Sequence, residues 1–228
     1  DDPLVVKHAP VLKNSVTFGF TDEAKVIGKR LQPDKSGFPT MEVEGEAITL
    51  NLLGDHNLSN ALAAVAVGLE FGVAIKEIKS ALEHVNIPGK RMEIIRQNNI
   101  LILNDSYNAN PDSTLTALRI LQQAACQGKR ILAFGDMLEL GDAAPSEHAR
   151  IGEALRDYDV DVFFAFGPQC EHAVKRSQEK FGNEISAKHF EDKAKLTSEL
   201  SALLKDGDVL LVKGSRGMKM EEVIEGLV

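Results

Sequence analysis

The chain has 228 residues, 43% hydrophobic and 26% charged, with a formal net charge of −8 and two cysteines. That balance belongs to a folded soluble protein rather than a disordered one, and the acidic surplus argues against the basic face with which nucleic-acid binders hold phosphate. No apolar run approaches the roughly 20 residues that span a bilayer.

Cys126 and Cys170 have neither metal-ligand spacing nor a disulfide-rich context, so a reducing, cytoplasmic setting is expected. Asp1-Asp2-Pro3 does not open a secretory signal, and a start without methionine is expected either where further residues precede it or where processing has produced this end. The length allows one large domain or two smaller ones, and the pattern along the chain favours two.

Residues 1 to 50 hold short β-like pieces, such as Ser15–Phe20 and Ala47–Leu52, separated by Gly, Pro and charged turns. From Asn57 the spacing of Ala, Leu and Val becomes that of a buried helix running through Phe71, and a second helix follows from Ile75 to His84. Asn86-Ile-Pro-Gly-Lys90 breaks the helical pattern and reads as a boundary between a domain over 1–87 and another over 88–228. Next comes an expected hairpin, Met92–Arg96 and Ile100–Leu103, turning at Gln97-Asn98-Asn99.

Strands and helices then alternate. Strands are expected at Arg130–Phe134, Val160–Phe166, Lys188–Phe190 and Val209–Val212, and helices near Asp112–Ala125, Ser146–Asp157, Gln169–Lys180, Asp192–Leu204 and Lys219–Leu227. This is the rhythm of an α/β fold with a doubly wound, mostly parallel sheet.

In such a sheet every parallel strand delivers its carboxyl end to one edge, where open α/β sheets bind ligands. Four of these ends are polar or glycine-rich: Asn104-Asp105, Gly135-Asp136, Gly167-Pro168 and Lys213-Gly-Ser-Arg216. Asp105 closes an apolar strand, and Asn110 and Pro111 then suit the cap and first position of a helix. Asp105 and Asn108 are therefore either ligand residues or only stabilisers of the turn. Lys213 and Arg216 supply positive charge for a phosphate or carboxylate.

Three further segments carry candidates. In Gly54-Asp-His56-Asn57-Leu-Ser-Asn60, the two asparagines are three apart on one helix face, and an amide offers the donor and acceptor that read an adenine edge. Capping is the alternative for Asn57. Arg91 follows the boundary directly and is either a phosphate ligand or a solvated charge. His148 lies after Gly135-Asp-Met-Leu-Glu-Leu-Gly141 on a helix with Ile151 and Leu155, where it is either structural or part of a ligand site. Neither a Gly-x-Gly-x-x-Gly nor a Gly-x-x-x-x-Gly-Lys-Ser/Thr phosphate loop occurs in the sequence.

Taken together, GDHNLSNALAA, PGKRME, NDSYNANPDS, GDMLELG with a downstream His, and VKGSRGMKMEE resemble the Mur ligases of peptidoglycan synthesis, in the family's order and across essentially the whole chain. The resemblance implies the end of a central ATPase domain followed by a complete Rossmann-like C-terminal domain. The phosphate loop, the magnesium-binding acid and His, and the carbamylated lysine of the central domain are not in this sequence.

It also implies ATP and Mg2+ as cofactors, with the magnesium ligands mostly outside this chain. The implied activity joins D-alanyl-D-alanine to UDP-N-acetylmuramoyl-tripeptide through an acyl phosphate. By the same resemblance Asn57 and Asn60 would contact adenine, with His56 beside them, while Asp105 would bind the ribose hydroxyls and Arg91 the phosphates; Asn108 is a further candidate on the nucleotide side. Lys213 would act near the ATP phosphates, Ser215 and Arg216 near the dipeptide, and Asn110 and His148 on the substrate side. A sister ligase adding another amino acid, and a module that only binds nucleotide or peptide, are the alternatives.

Overall fold

The computed structural model describes residues 2–8, 15–35, 37–85 and 89–227. The chain separates into two compact units, Asp1–Ile87 and Pro88–Val228. Asn86, Ile87 and Pro88, the heart of the expected boundary segment, lie outside the described residues.

The first unit opens with a short helix, α1 (Pro3–His8), and a four-stranded sheet of β1 (Phe18–Gly19), β2 (Val26–Leu31), β3 (Thr40–Val43) and β4 (Glu46–Thr49) in that order. β1 and β2 are parallel, and β2, β3 and β4 antiparallel. The β3–β4 turn places Glu44 and Gly45 at φ 51° and 76°, the left-handed pair a two-residue hairpin needs.

Helices α2 (His56–Glu70) and α3 (Ile75–Glu83) follow. The apolar stripe Leu58, Leu62, Val65 and Ala66 of α2 packs with Met41, Val43 and Ile48 of the sheet and Ile78 of α3 into one core. Only Phe18 and Gly19 of the expected first strand pair with a neighbour.

The second unit holds β5 (Glu93–Gln97), β6 (Ile100–Asp105), α4 (Pro111–Gln123), β7 (Arg130–Gly135), α5 (Ala144–Ala154), β8 (Val162–Phe166), α6 (Cys170–Phe181), β9 (Ser186–Phe190), α7 (Lys193–Leu203), β10 (Val209–Lys213) and α8 (Glu221–Glu225). Its sheet runs β5-β6-β10-β7-β8-β9, parallel throughout except for the β5–β6 hairpin. Asn98 and Asn99 turn that hairpin at φ 45° and 60°, where asparagine is tolerated best after glycine.

The last strand, β10, inserts between β6 and β7. Each of its residues from Val209 to Lys213 is buried, as expected of a strand covered on both faces. On the other side of the sheet's centre, α5 meets α6 at Gly152, where a Cβ would fall 2.0 Å from the Ala173 carbonyl oxygen; only glycine permits that approach. No described helix is long and apolar enough to cross a membrane.

Candidate functional site

The β6–β10 register sets Lys213 opposite Asp105, each the last residue of its strand. The two side chains meet: Lys213 Nζ lies 2.5 Å from Asp105 Oδ2 and also donates to the Asn108 carbonyl (3.0 Å). The other carboxylate oxygen accepts from the Met92 N–H (3.1 Å). Lys213, expected at phosphates, is thus turned onto its own turn, with a side chain only 2% exposed. Of its three donors one remains, and of the roughly four lone-pair positions on Asp105 two remain. Asp105, 19% exposed at its side chain, is the partner with room for a ligand.

Beyond Asp105, the turn is built by short-range polar bonds. Ser106 N and Oγ both donate to Asn104 Oδ1. Asn110 caps α4, its Oδ1 accepting from Ser113 N (2.8 Å) while Ser113 Oγ accepts from Asn110 N. Its side chain, expected on the substrate side, is committed to that capping box. Asn108 is exposed and contributes its carbonyl to Lys213.

Ser215 ties three loops together. Its buried hydroxyl donates to the Ala109 carbonyl (3.2 Å) and accepts from Leu138 N–H (2.8 Å), and its own N–H donates to the Asp136 carbonyl. Next to it, Arg216 is 56% exposed at its side chain and donates to Glu221 Oε1. The same oxygen accepts from Lys90 Nζ. Sequence reasoning passed over Glu221 because it reads as an ordinary acid at a helix start.

Lys90 and Arg91 reach this edge through the backbone. Tyr107 N–H donates to the Lys90 carbonyl (2.8 Å), and the exposed Arg91 guanidinium stacks 4.0 Å from the centre of the Tyr107 ring. Two residues with positive φ, Lys90 (72°) and Met92 (54°), bend the segment so that Met92 N meets Asp105. Arg91 is therefore positioned by an aromatic platform rather than loose in solvent.

His148 does something else. It is wholly buried, with Nδ1 2.7 Å from the Ala144 carbonyl and Nε2 accepting from Met137 N–H (2.9 Å), which fixes a neutral tautomer. Burial holds its pKa below the ordinary histidine value, against the opposing pull of the Ala144 hydrogen bond and Asp136. The expectation of a substrate contact is corrected: His148 fastens the loop after β7 and has no ring nitrogen left for a ligand.

Asp136 is equally committed. Its buried carboxylate accepts from Gln169 N–H and Cys170 N–H and so stabilises the positive end of α6. Asp136, His148 and Cys170 bring one ligand atom each within 4.8 Å of one another. The donor set does not suit Mg2+, a hard ion that takes oxygen ligands and water in octahedral array. The His148 and Asp136 atoms are occupied by backbone donors, and burial raises the Cys170 thiol pKa well above its usual value.

In the first unit, Asn57 donates Nδ2 to the Leu53 carbonyl (2.8 Å) and accepts from Asn60 Nδ2 (3.1 Å). Capping is not its role, since Asp55 holds the cap position of α2. The pair explains Asn60, a poor helix former unless it has a partner. His56, exposed, is the first residue of the same helix.

Residues 90–216 match the family model described as Mur ligase, glutamate ligase domain, and residues 1–68 that described as Mur ligase middle domain. The UDP-N-acetylmuramoyl-tripeptide–D-alanyl-D-alanine ligase of Bacillus subtilis is 34% identical over 178 residues, covering 78% of this chain and 39% of the relative. The ligase of the same name from Escherichia coli is 37% identical over 192 residues, covering 83% and 40%.

Among solved structures, MurF from Acinetobacter baumannii superposes with a TM-score of 0.84 at 26% identity over 100% of this chain and 50% of its own. MurF from Thermotoga maritima in complex with ADP gives 0.80 at 26% identity over 100% and 51%. This chain spans about two-fifths of the length of those curated relatives. On these matches the chain belongs to the Mur ligase family.

Proposed function

We propose that this chain is the nucleotide-closing and amine-binding portion of an ATP-dependent amide ligase that joins D-alanyl-D-alanine to UDP-N-acetylmuramoyl-tripeptide. The relatives named for that reaction support it at 34% and 37% identity, and the ADP complex of a similar protein supports an adenine nucleotide as ligand. The observation that carries the reading is the set of groups on the loops at one sheet edge: an Asp105 carboxylate with lone pairs to spare, Arg91 stacked on Tyr107 two residues after it, and Arg216 three residues after its partner Lys213.

In this reaction the γ-phosphoryl of ATP passes to the terminal carboxylate of the tripeptide, giving ADP and an acyl phosphate. The amine of the dipeptide then attacks the acyl carbon, a C–N bond forms, and the C–O bond to phosphate breaks. Negative charge develops on the transferring phosphoryl and on the tetrahedral intermediate, and pre-aimed cations stabilise both.

Arg216, with four of its five donors beyond its bond to Glu221, and Arg91 on Tyr107 fit that task. Asp105 accepts the ribose hydroxyls, and Lys213 holds the carboxylate in place from behind. Within the first unit, the amides of Asn57 and Asn60, with His56 beside them, offer the donor and acceptor that an adenine edge needs; within the second, Asn108 and Ser215 shape the rims of the sites at the sheet edge. Mg2+ bound with ATP would supply positive charge against the phosphates; among the described residues, the group Asp136, His148 and Cys170 does not suit it.

The experiment is single-turnover synthesis by the full-length protein with MgATP, UDP-N-acetylmuramoyl-tripeptide and either D-alanyl-D-alanine or single amino acids. A pentapeptide product formed only with the dipeptide, one ADP per product, is expected. Turnover with a single amino acid instead would assign the chain to a sister ligase, and nucleotide binding without any product would make it a binding module.

A further inference from the structure

Glu221 joins two cations of this edge through a single oxygen. Its Oε1 accepts from Lys90 Nζ (2.8 Å) and Arg216 NH1 (2.9 Å), while its Oε2 is buried with no hydrogen-bond partner among the described residues. The Glu221 side chain is 10% exposed, against 33% for Lys90 and 56% for Arg216.

An acid placed only to be satisfied would share its cations between both oxygens. Here both cations converge on Oε1, a geometry that fixes Lys90 and Arg216 relative to each other. Burial by itself would raise the Glu221 pKa, but the hydrogen bond from Lys90 and the nearby charges of Lys90 and Arg216 bring it below the ordinary value.

A solvated arginine must lose side-chain freedom when an anion captures it. With its NH1 fixed, Arg216 has lost part of that freedom beforehand and keeps the remaining donors of its planar fork for a ligand. Lys90 carries the second half of the connection. It precedes Arg91, and its carbonyl receives the Tyr107 N–H of the turn after Asp105.

We propose that Glu221 is a positioning residue for the ligase reaction: from the buried start of α8 it aims Arg216 at the developing charge and holds the Lys90–Arg91 segment in the same array. This rests on the reading of Arg216 under Proposed function. The three charges sum to +1, and Glu221→Gln raises that to +2. Loss of aim and gain of attraction then pull apart. The variant should bind the anionic nucleotide sugar at least as well as the parent while reacting more slowly, whereas a merely structural loss would raise KM and lower Tm together.

The test is a kinetic cycle in the full-length protein with Glu221→Gln, Arg216→Ala and the double variant, each with its melting curve. Glu221→Gln alone should lower kcat about tenfold without raising the KM for UDP-N-acetylmuramoyl-tripeptide, and should lower it less than about twofold when Arg216 is already alanine. Equal losses in both backgrounds, or no loss in the parent background, overturn the positioning role. If Arg216→Ala itself leaves kcat unchanged, the failure lies in the role given to Arg216, and the inference falls with it. Should Glu221→Gln melt far below the parent, Glu221→Asp, which keeps the charge and retracts the oxygens by one carbon, enters the same cycle with the same criteria.

Discussion

Lys213 and Asp105 end two neighbouring parallel strands at the same register position and close an ion pair of 2.5 Å, with the lysine almost wholly buried. Removing one partner of such a pair leaves a buried charge uncompensated, which costs more than the pair contributes when intact. Asp105→Ala should therefore destabilise the second unit by about 3 kcal/mol, the lower end for buried pairs because Asp105 retains some exposure. For a chain of this size that is a melting drop of about 6–12 °C. Adding Lys213→Met should return part of the loss by removing the stranded ammonium. Melting curves of the two variants decide it: a double variant less stable than Asp105→Ala would mean that the pair is not the source of the cost.

Ser215 spans three loops with one hydroxyl, so its replacement by alanine frees the Leu138 N–H and the Ala109 carbonyl together. Leu138 is exposed, so water can take its N–H, while the buried Ala109 carbonyl left unpaired costs about 1–3 kcal/mol. The expected result is a loss of a few degrees in Tm, with faster hydrogen exchange at the Leu138 amide than at the amides of β10. Unchanged exchange at Leu138 would show that its protection comes from elsewhere.

The chain's local chemistry was legible in the sequence wherever one turn of backbone decides the outcome. Asn110 and Pro111 start a helix with the expected cap, Asn98-Asn99 turns a hairpin, and the alternation of elements predicted a mostly parallel sheet. The contacts that define the site were not legible, because they join residues far apart in the chain. Lys213 meets Asp105 only because β10 inserts beside β6, and a 108-residue separation carries no periodic signal. Asp136, a plain turn acid in sequence, spends both oxygens on the start of α6. Glu221 and Lys90, 131 residues apart, look like solvated charges until the fold joins them. His148 gave a mixed signal that burial resolves: its neighbours on the helix face, Ile151 and Leu155, are core residues, and so is it.

That burial gives His148 a pH signature. Its folded pKa lies below 6.5 because desolvation penalises the charged ring, with His172 adding to the depression and the Ala144 carbonyl and Asp136 (3.8 Å) opposing it. The unfolded chain thus binds the proton at a pH where the folded one does not, and stability must fall as pH drops. The neutral-histidine contribution is complete above about pH 6.5 and is lost progressively from there down to the folded pKa. Urea midpoints between pH 5 and 7.5 should show this slope in the parent, and His148→Gln, less stable at neutral pH, should show a shallower one. Parallel slopes for the two proteins would assign the pH dependence to other groups.

Asn57 and Asn60 permit a test of the proposed adenine contact that separates recognition from folding. Asn57 cannot rotate its amide without surrendering the Leu53 carbonyl, so its oxygen must face Asn60, and the Asn60 amide group must donate to it. Asn60→Asp replaces that donor with a second acceptor and forces the two side chains apart. Asn60 is exposed, so the change should cost the fold little, of the order of 0.5 kcal/mol. If the pair reads the adenine edge through its fixed donor and acceptor, the KM for ATP should rise about tenfold, the worth of one hydrogen bond in a site built to make it. GTP, which presents the opposite pattern, should lose nothing. Steady-state kinetics of the full-length protein with both nucleotides, beside the melting curve, give the answer. An equal rise for ATP and GTP would place the asparagine pair outside base recognition, whereas an unchanged ATP constant would confine it to holding the first turn of α2.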